Sequence, residues 1–454
     1  VIAGASGFVG RALVDALAPS REVIAISRGG GSNREGVTWR ACDLYNPVQT
    51  EEALAGADVA VYLVHSMMPS ARLTQASFEE LDLLCADNFA RAAAKNGIKH
   101  IVYLGGLLPA AGTTLSRHLE SRSEVERALA AHGASVTTLR AGLVLGAGGS
   151  SFEIMANLVR KLPVMLGPLW TRSLTQPIAL RDVITLLLHA IERPDLAGRA
   201  YDIGGPDVVT YAELLRLTGA ALGKRTRVMT LPVRTMSLSL LWVSAITGAS
   251  QALVRPLVES LSHDMIATDG LVFQQEAGLR PQPLREALAE AVKTEQQAAP
   301  SGGTGAPRRR VERGVVSIQR LRISSKLNAF FVAEEYARWL PRFFRPLLRV
   351  TVDASRTCRF FARPLREPLL ILAFDPEHSS PDRQLFRVTG GLLAGDPGEA
   401  NPRLEFRAML DGTHLLAVVQ DFVPRLPWPI YLSTQSLGHL AVMWGFGRHL
   451  ASLS

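Results

Sequence analysis

The chain has 454 residues, 47% hydrophobic and 20% charged, which excludes a disordered or fibrous protein and calls for two or more domains. Its net charge of +8 falls wholly beyond residue 299, because residues 1–299 carry 28 basic and 28 acidic side chains. Three scattered cysteines, Cys42, Cys85 and Cys358, exclude a disulfide framework and a thiolate metal site, and they fit a reducing, cytoplasmic setting.

The chain opens on VIAGASGFVG, a strand followed by Gly4, Gly7 and Gly10 and then a helical pattern from near Phe8. Glycines at this spacing permit a sharp turn, close approach of a pyrophosphate and tight helix–sheet packing. The helix N-terminus then offers free N–H groups and partial positive charge to phosphates. Further β-branched runs follow at 22–27, 37–43, 58–64, 100–106 and 135–142, separated by amphipathic stretches such as 78–97. Apolar strands alternating with helices predict a doubly wound parallel sheet, a Rossmann-type α/β domain over 1–299.

At the end of the second strand stands Arg28, where an NAD-preferring site would place an acidic residue; a planar guanidinium suits a 2′-phosphate, so NADP(H) is expected over NAD(H). Asp43 ends the third strand and either faces the adenine amine or caps a turn. The uncharged run Met236–Val254 has membrane-spanning length, but Ser, Thr and Gln dilute it. A buried or groove-lining helix pair is expected there, with weak surface association as the lesser reading. Residues 300–314, rich in Gly, Pro and charge, read as a linker. Its RRRVER is the sole basic cluster and has no interleaved aromatics, so no nucleic-acid partner is expected. The histidines show no metal-ligand spacing, and no metal is expected.

Over 315–454 the pattern changes to a strand, a helix near 329–340, a run of strands and a final apolar stretch of helical length, which predicts an α+β unit.

GASGFVG, Arg28, CDL (42–44), VYLVHSM (61–67), IVYLGGL (101–107) and LRAGLVLGAGGSSFE (139–153), in this order, resemble the atypical short-chain dehydrogenase/reductases, in particular a bacterial NAD(P)H-binding group of NmrA-like or epimerase-like type. The resemblance implies that Gly4, Ser6, Gly7, Phe8 and Val9 line a pyrophosphate and that Arg28 meets the adenosine phosphate. It also implies Asp43 and Leu44 at the adenine, Leu63, Val64 and His65 at the ribose, and Gly105 and Gly106 under the nicotinamide. Ser151, Phe152 and Trp170 would enter the pocket of a small-molecule substrate. Family reductases use a Ser after the fifth strand and a Tyr-x-x-x-Lys; here the strand ends in GGLL and the helix reads SRHLESRSE, with His118 and Arg122 at the Tyr and Lys spacing.

Two readings follow. In one, His118 donates a proton, since imidazole titrates near neutrality, Arg122 positions an oxygen, His65 is a second acid, and the protein reduces an apolar carbonyl or enone. In the other, these residues solvate a helix and the protein is a non-catalytic dinucleotide sensor. The second unit is similar to helix-grip folds, which implies an apolar pocket; Phe330, Phe331, Trp339, Tyr431, Trp444 and Phe446 are its candidate lining, or plain core.

Overall fold

A computed structural model describes residues 1–65, 71–109, 115–230, 261, 263–298, 312–396, 398, 401–410 and 412–453. They fall into two compact units, one from residues within 1–68 and 82–304, the other from residues within 69–81 and 305–454. The run Met236–Val254 and residues 300–311 of the expected linker lie outside the described residues.

In the first unit, strands β1 (Ile2–Ala3), β2 (Val23–Ser27), β3 (Val37–Ala41) and β4 (Val59–Tyr62) carry β-branched residues at strand spacing. A segment of the second unit, β5 (Ala71–Gln75), comes next in the chain, and then β6 (His100–Gly106), β7 (Ser135–Ala141) and β8 (Ala200–Ile203) complete the sheet. Its spatial order is β3-β2-β1-β4-β6-β7-β8, parallel throughout. This is a doubly wound Rossmann sheet, and the order reverses between β1 and β4, the crevice where such sheets take ligands.

Around it run α1 (Phe8–Leu17), α2 (Pro47–Leu54), α3 (Phe78–Lys95), α4 (Arg117–Ala130), α5 (Ser150–Lys161), α6 (Leu180–Glu192), α7 (Tyr211–Ala221), α8 (Leu271–Glu276) and α9 (Leu284–Ala298). Leu13 and Val14 of α1 and Val183, Leu186 and Leu187 of α6 pack with Ile2, Val61 and Val102 of the strands in one buried cluster. Apolar residues three and four apart on each helix meet alternate residues of the strands, so the predicted periods and the observed layers agree.

The second unit is built from β9 (Glu312–Arg322), α10 (Ala329–Phe343), β10 (Leu348–Val352), β11 (Cys358–Ala362), β12 (Leu370–Phe374), β13 (Arg383–Gly390), β14 (Arg403–Met409), β15 (His414–Phe422), α11 (Trp428–Ser433) and α12 (Gln435–Ser452). Its mixed sheet runs β10-β11-β12-β13-β14-β15-β9-β5. All neighbours are antiparallel except β9 and β5, which pair in parallel with Val315 opposite Leu73. The Gln75 amide also donates to Ser436 Oγ at 2.8 Å, tying this edge strand to α12.

Trp339 and Phe446 lie in the core between α10, α12 and the sheet, with Phe406, Leu415 and Met443. Phe330, Phe331 and Trp444 are exposed, Trp444 at 67%, so none of the three lines an interior pocket. Of the six aromatics expected there, Tyr431 does. No described helix is long and apolar enough to cross a membrane.

Candidate functional site

Gly4 leaves β1 with a φ of +84°, which a side chain rarely adopts, and a Cβ there would lie 3.0 Å from the Leu63 carbonyl. At Gly10 a Cβ would stand 2.2 Å from the Gly4 oxygen, so α1 is pressed against the turn as only glycine allows. Gly7 is the N-cap of α1 and has no side chain to cap the first turn. The leading N–H groups of α1 therefore face outward uncapped, and the cradle fits an anionic diphosphate. Ser6 is exposed beside it, its carbonyl accepting from Arg11 Nη1 at 3.0 Å. The Phe8 ring packs onto Gly146 and Gly149, and Val9 packs on the core.

Arg28 is exposed at the end of β2 and is followed by Gly29, Gly30 and Gly31. The Trp39 indole covers Gly31, where a Cβ would meet the ring at 2.4 Å, and this keeps the turn after Arg28 close to β3. Asp43 caps a turn: its Oδ1 accepts from the Tyr45 N–H at 3.2 Å. The Leu44 side chain is buried, and its carbonyl accepts from Asn88 Nδ2 at 2.8 Å. Leu63 and Val64 continue from β4, half-buried, with Leu63 N–H donating to the Ala3 carbonyl at 3.0 Å.

Next to this edge lies a cavity of about 310 Å3, wholly within the first unit. Gly105 and Gly106 form part of its wall, together with His65, His118, Arg122, Ser151 and Trp170, so the structure brings the three expected catalytic residues together with two of the three expected substrate residues. The remaining wall is apolar, with Leu107, Leu119, Leu143, Leu158 and Met265 prominent. Phe152 is the correction: it is fully buried in the core and does not line the cavity. Helical geometry explains this, because Ser151, Ile154, Met155 and Leu158 take the cavity side of α5 and leave Phe152 turned from it.

His118 and Arg122 stand one turn apart on α4, whose N-cap Ser116 accepts from the Leu119 N–H. Arg122 is buried and reaches Asp82 of α3, and its Nη2 also contacts His65 Nδ1. His65 Nδ1 lies 2.9 Å from Asp82 Oδ2, and the His65 and His118 rings are 5.2 Å apart. Asp82 had no place in the sequence reading, although a carboxylate between Leu81 and Leu83 on an apolar helix face signals a buried partner.

Charge in this corner is concentrated on Arg122 and Asp82. Burial opposes the Arg122 charge, but Tyr103 and Asp82 outweigh it and hold the guanidinium above its usual range. Burial first, then Arg122 and His65, push His118 down to about 3, and burial with Arg122 lowers His65 too. Both rings are neutral at pH 7, unlike the near-neutral titration expected of His118. Arg122 Nε, His65 Nε2 and Trp170 Nε1 are buried without a partner among the described residues, which leaves polar valences open in an apolar chamber. Tyr62 and Tyr103 are fully buried core residues.

A family profile described as NAD(P)H-binding matches residues 4–157. The auxiliary protein GraX of Staphylococcus aureus is 34% identical over 109 residues, 23% of this chain and 36% of that protein, so the chain spans about a third of that relative's length. An epimerase family protein of Bos taurus, SDR39U1, is 28% identical over 250 residues, 49% of this chain and 80% of its own. Among solved structures, a nucleoside-diphosphate-sugar epimerase from Staphylococcus aureus superposes with a TM-score of 0.51 at 18% identity, over 64% of this chain and 99% of that one. That likeness is one of fold.

Proposed function

We propose that the protein binds NADP(H) and reduces the carbonyl or enone of a fairly apolar small molecule, a reading supported by the NAD(P)H-binding profile over residues 4–157 and by the similarity to an epimerase family protein. One observation carries the reading: the apolar cavity beside Gly105 and Gly106 has a single polar corner, made by Arg122, His118 and His65. In this reading the uncapped N-terminus of α1 holds the pyrophosphate and Arg28 pairs with the 2′-phosphate. The bound nicotinamide supplies hydride.

What the chain itself does is set by charge. Arg122 Nε–H donates to the substrate oxygen, and the guanidinium offsets the negative charge that grows there. Asp82 holds Arg122 in position. Neutral His118 adds an N–H hydrogen bond, but with its pKa pushed down to about 3 by burial it is not a proton donor at pH 7. The proton that completes the alcohol or the saturated ketone therefore comes from solvent. Ser151 and Trp170 border the same space and orient the body of the substrate.

NADPH consumption measured against a panel of quinones, enones and aldehydes tests this. Turnover is expected with at least one class, with no ionisation near pH 6.5 in kcat, and His118→Ala should cost about tenfold, the worth of one hydrogen bond. A bell-shaped profile that disappears in His118→Ala would make the ring a true acid. NADPH binding with no turnover across the panel would favour the rival reading, a non-catalytic dinucleotide sensor. That rival draws support from the depressed His118 pKa and from the missing Tyr-x-x-x-Lys.

A further inference from the structure

Between the sheet and the helices of the second unit lies a cavity of about 410 Å3 with an open mouth, larger than the one in the first unit. Pockets for small molecules begin at about 300 Å3 and are mostly apolar with a few placed polar groups. Leu340, Phe344, Phe360, Leu372 and Val419 give it apolar walls. Besides Ser317, Tyr336 and Tyr431, its polar lining includes two side chains on consecutive turns of α12, Gln435 and His439, four residues apart and so on one face. Gln435 Oε1 and His439 Nε2 are both buried, and neither has a partner among the described residues. Folded proteins seldom leave two buried polar atoms unanswered side by side in an apolar chamber.

The charges around the chamber limit what answers them. Arg403 is the cation on the lining, and it is already paired, with Glu405 Oε1 at 2.9 Å and Asp421 Oδ2 at 2.9 Å. A carboxylate or phosphate entering the cavity would meet a guanidinium whose three nitrogens already donate to Glu405, Asp421 and Gln420. Burial lowers His439 to about 4, so its ring is neutral at pH 7 and offers an anion no charge either.

We propose that this cavity binds one uncharged, mainly apolar molecule whose single oxygen function, a hydroxyl or a carbonyl, accepts from His439 Nε2–H and, where it is a hydroxyl, also donates to Gln435 Oε1. The site is separate from the dinucleotide cavity and does not depend on the reaction assigned to it.

Nile red fluorescence with the full-length chain, displaced by dodecanol, dodecanone, dodecane or dodecanoate, tests the assignment. Dodecanol and dodecanone should displace the dye at about tenfold lower concentration than dodecane or dodecanoate, as one satisfied hydrogen bond predicts. Val388→Trp, which fills the cavity from β13, should weaken the dye about tenfold or more while NADPH binding is kept. His439→Leu keeps the bulk and removes the polar group, so dodecanol should fall to the affinity of dodecane. The proposal is overturned if dodecanoate binds as well as dodecanol, or if folded Val388→Trp binds dye undiminished. Should Val388→Trp fail to fold, unchanged dodecanol affinity in His439→Leu overturns it alone.

Discussion

Asp82 lies fully buried on α3, and its carboxylate is met by Arg122 and His65. A buried pair of this kind adds little by existing, because desolvation offsets the attraction, but removing one partner strands the other's charge. Asp82→Asn should therefore destabilise the protein by about 3 kcal/mol in denaturant unfolding, and adding Arg122→Met should restore part of that loss. A cost below about 1 kcal/mol would mean that Arg122 is held by something else. Burial first, and then the guanidinium beside them, disfavours a positive charge on His65 and His118 against the opposing pull of Asp82, so both rings are neutral.

At the level of elements, the β1–turn–α1 unit concentrates the most demanding packing. Gly10→Ala would drive a Cβ into the Gly4 oxygen, 2.2 Å away, and both are backbone-anchored, so α1 must shift. A loss of about 1–3 kcal/mol and a weakening of NADPH binding by about tenfold or more are expected, measured by thermal melts with and without coenzyme. Retained stability and affinity would show that the turn is looser than its geometry. Elements with strong periods were legible: six of the seven parallel strands and α3 follow from apolar spacing, whereas the short edge strand β8 was not read. β5 was not, because ARLTQ offers one large apolar residue and no alternation, and its strand state depends on pairing with β9. The break of the last apolar stretch at Thr434, with φ −128° and ψ −78°, has no Gly or Pro to announce it. Among site residues, the glycines, His118 and Arg122 were readable from motif and spacing. Phe152 and Trp444 were misjudged because residue type was weighed above helix phase. Trp444 stands two residues from both Val442 and Phe446, about 200° around α12 from each, and so faces outward.

For the molecule as a whole, the two units are not successive beads. Residues 69–81 fall in sequence between β4 and α3 of the first unit, yet they cluster with the second and supply the edge strand of its sheet. His65 and Asp82 flank this segment in the chain. The net positive charge belongs to the C-terminal part, and the first unit is electrically balanced, so affinity for a coenzyme must come from local groups and not from a long-range field. Isothermal calorimetry of the full-length chain with NADPH and NADH tests that most directly. The expected result is saturable heat at one coenzyme per chain, NADPH binding about tenfold or more tightly than NADH through the Arg28 ion pair, and Arg28→Glu abolishing that preference. No heat with either coenzyme would contradict the account at its root.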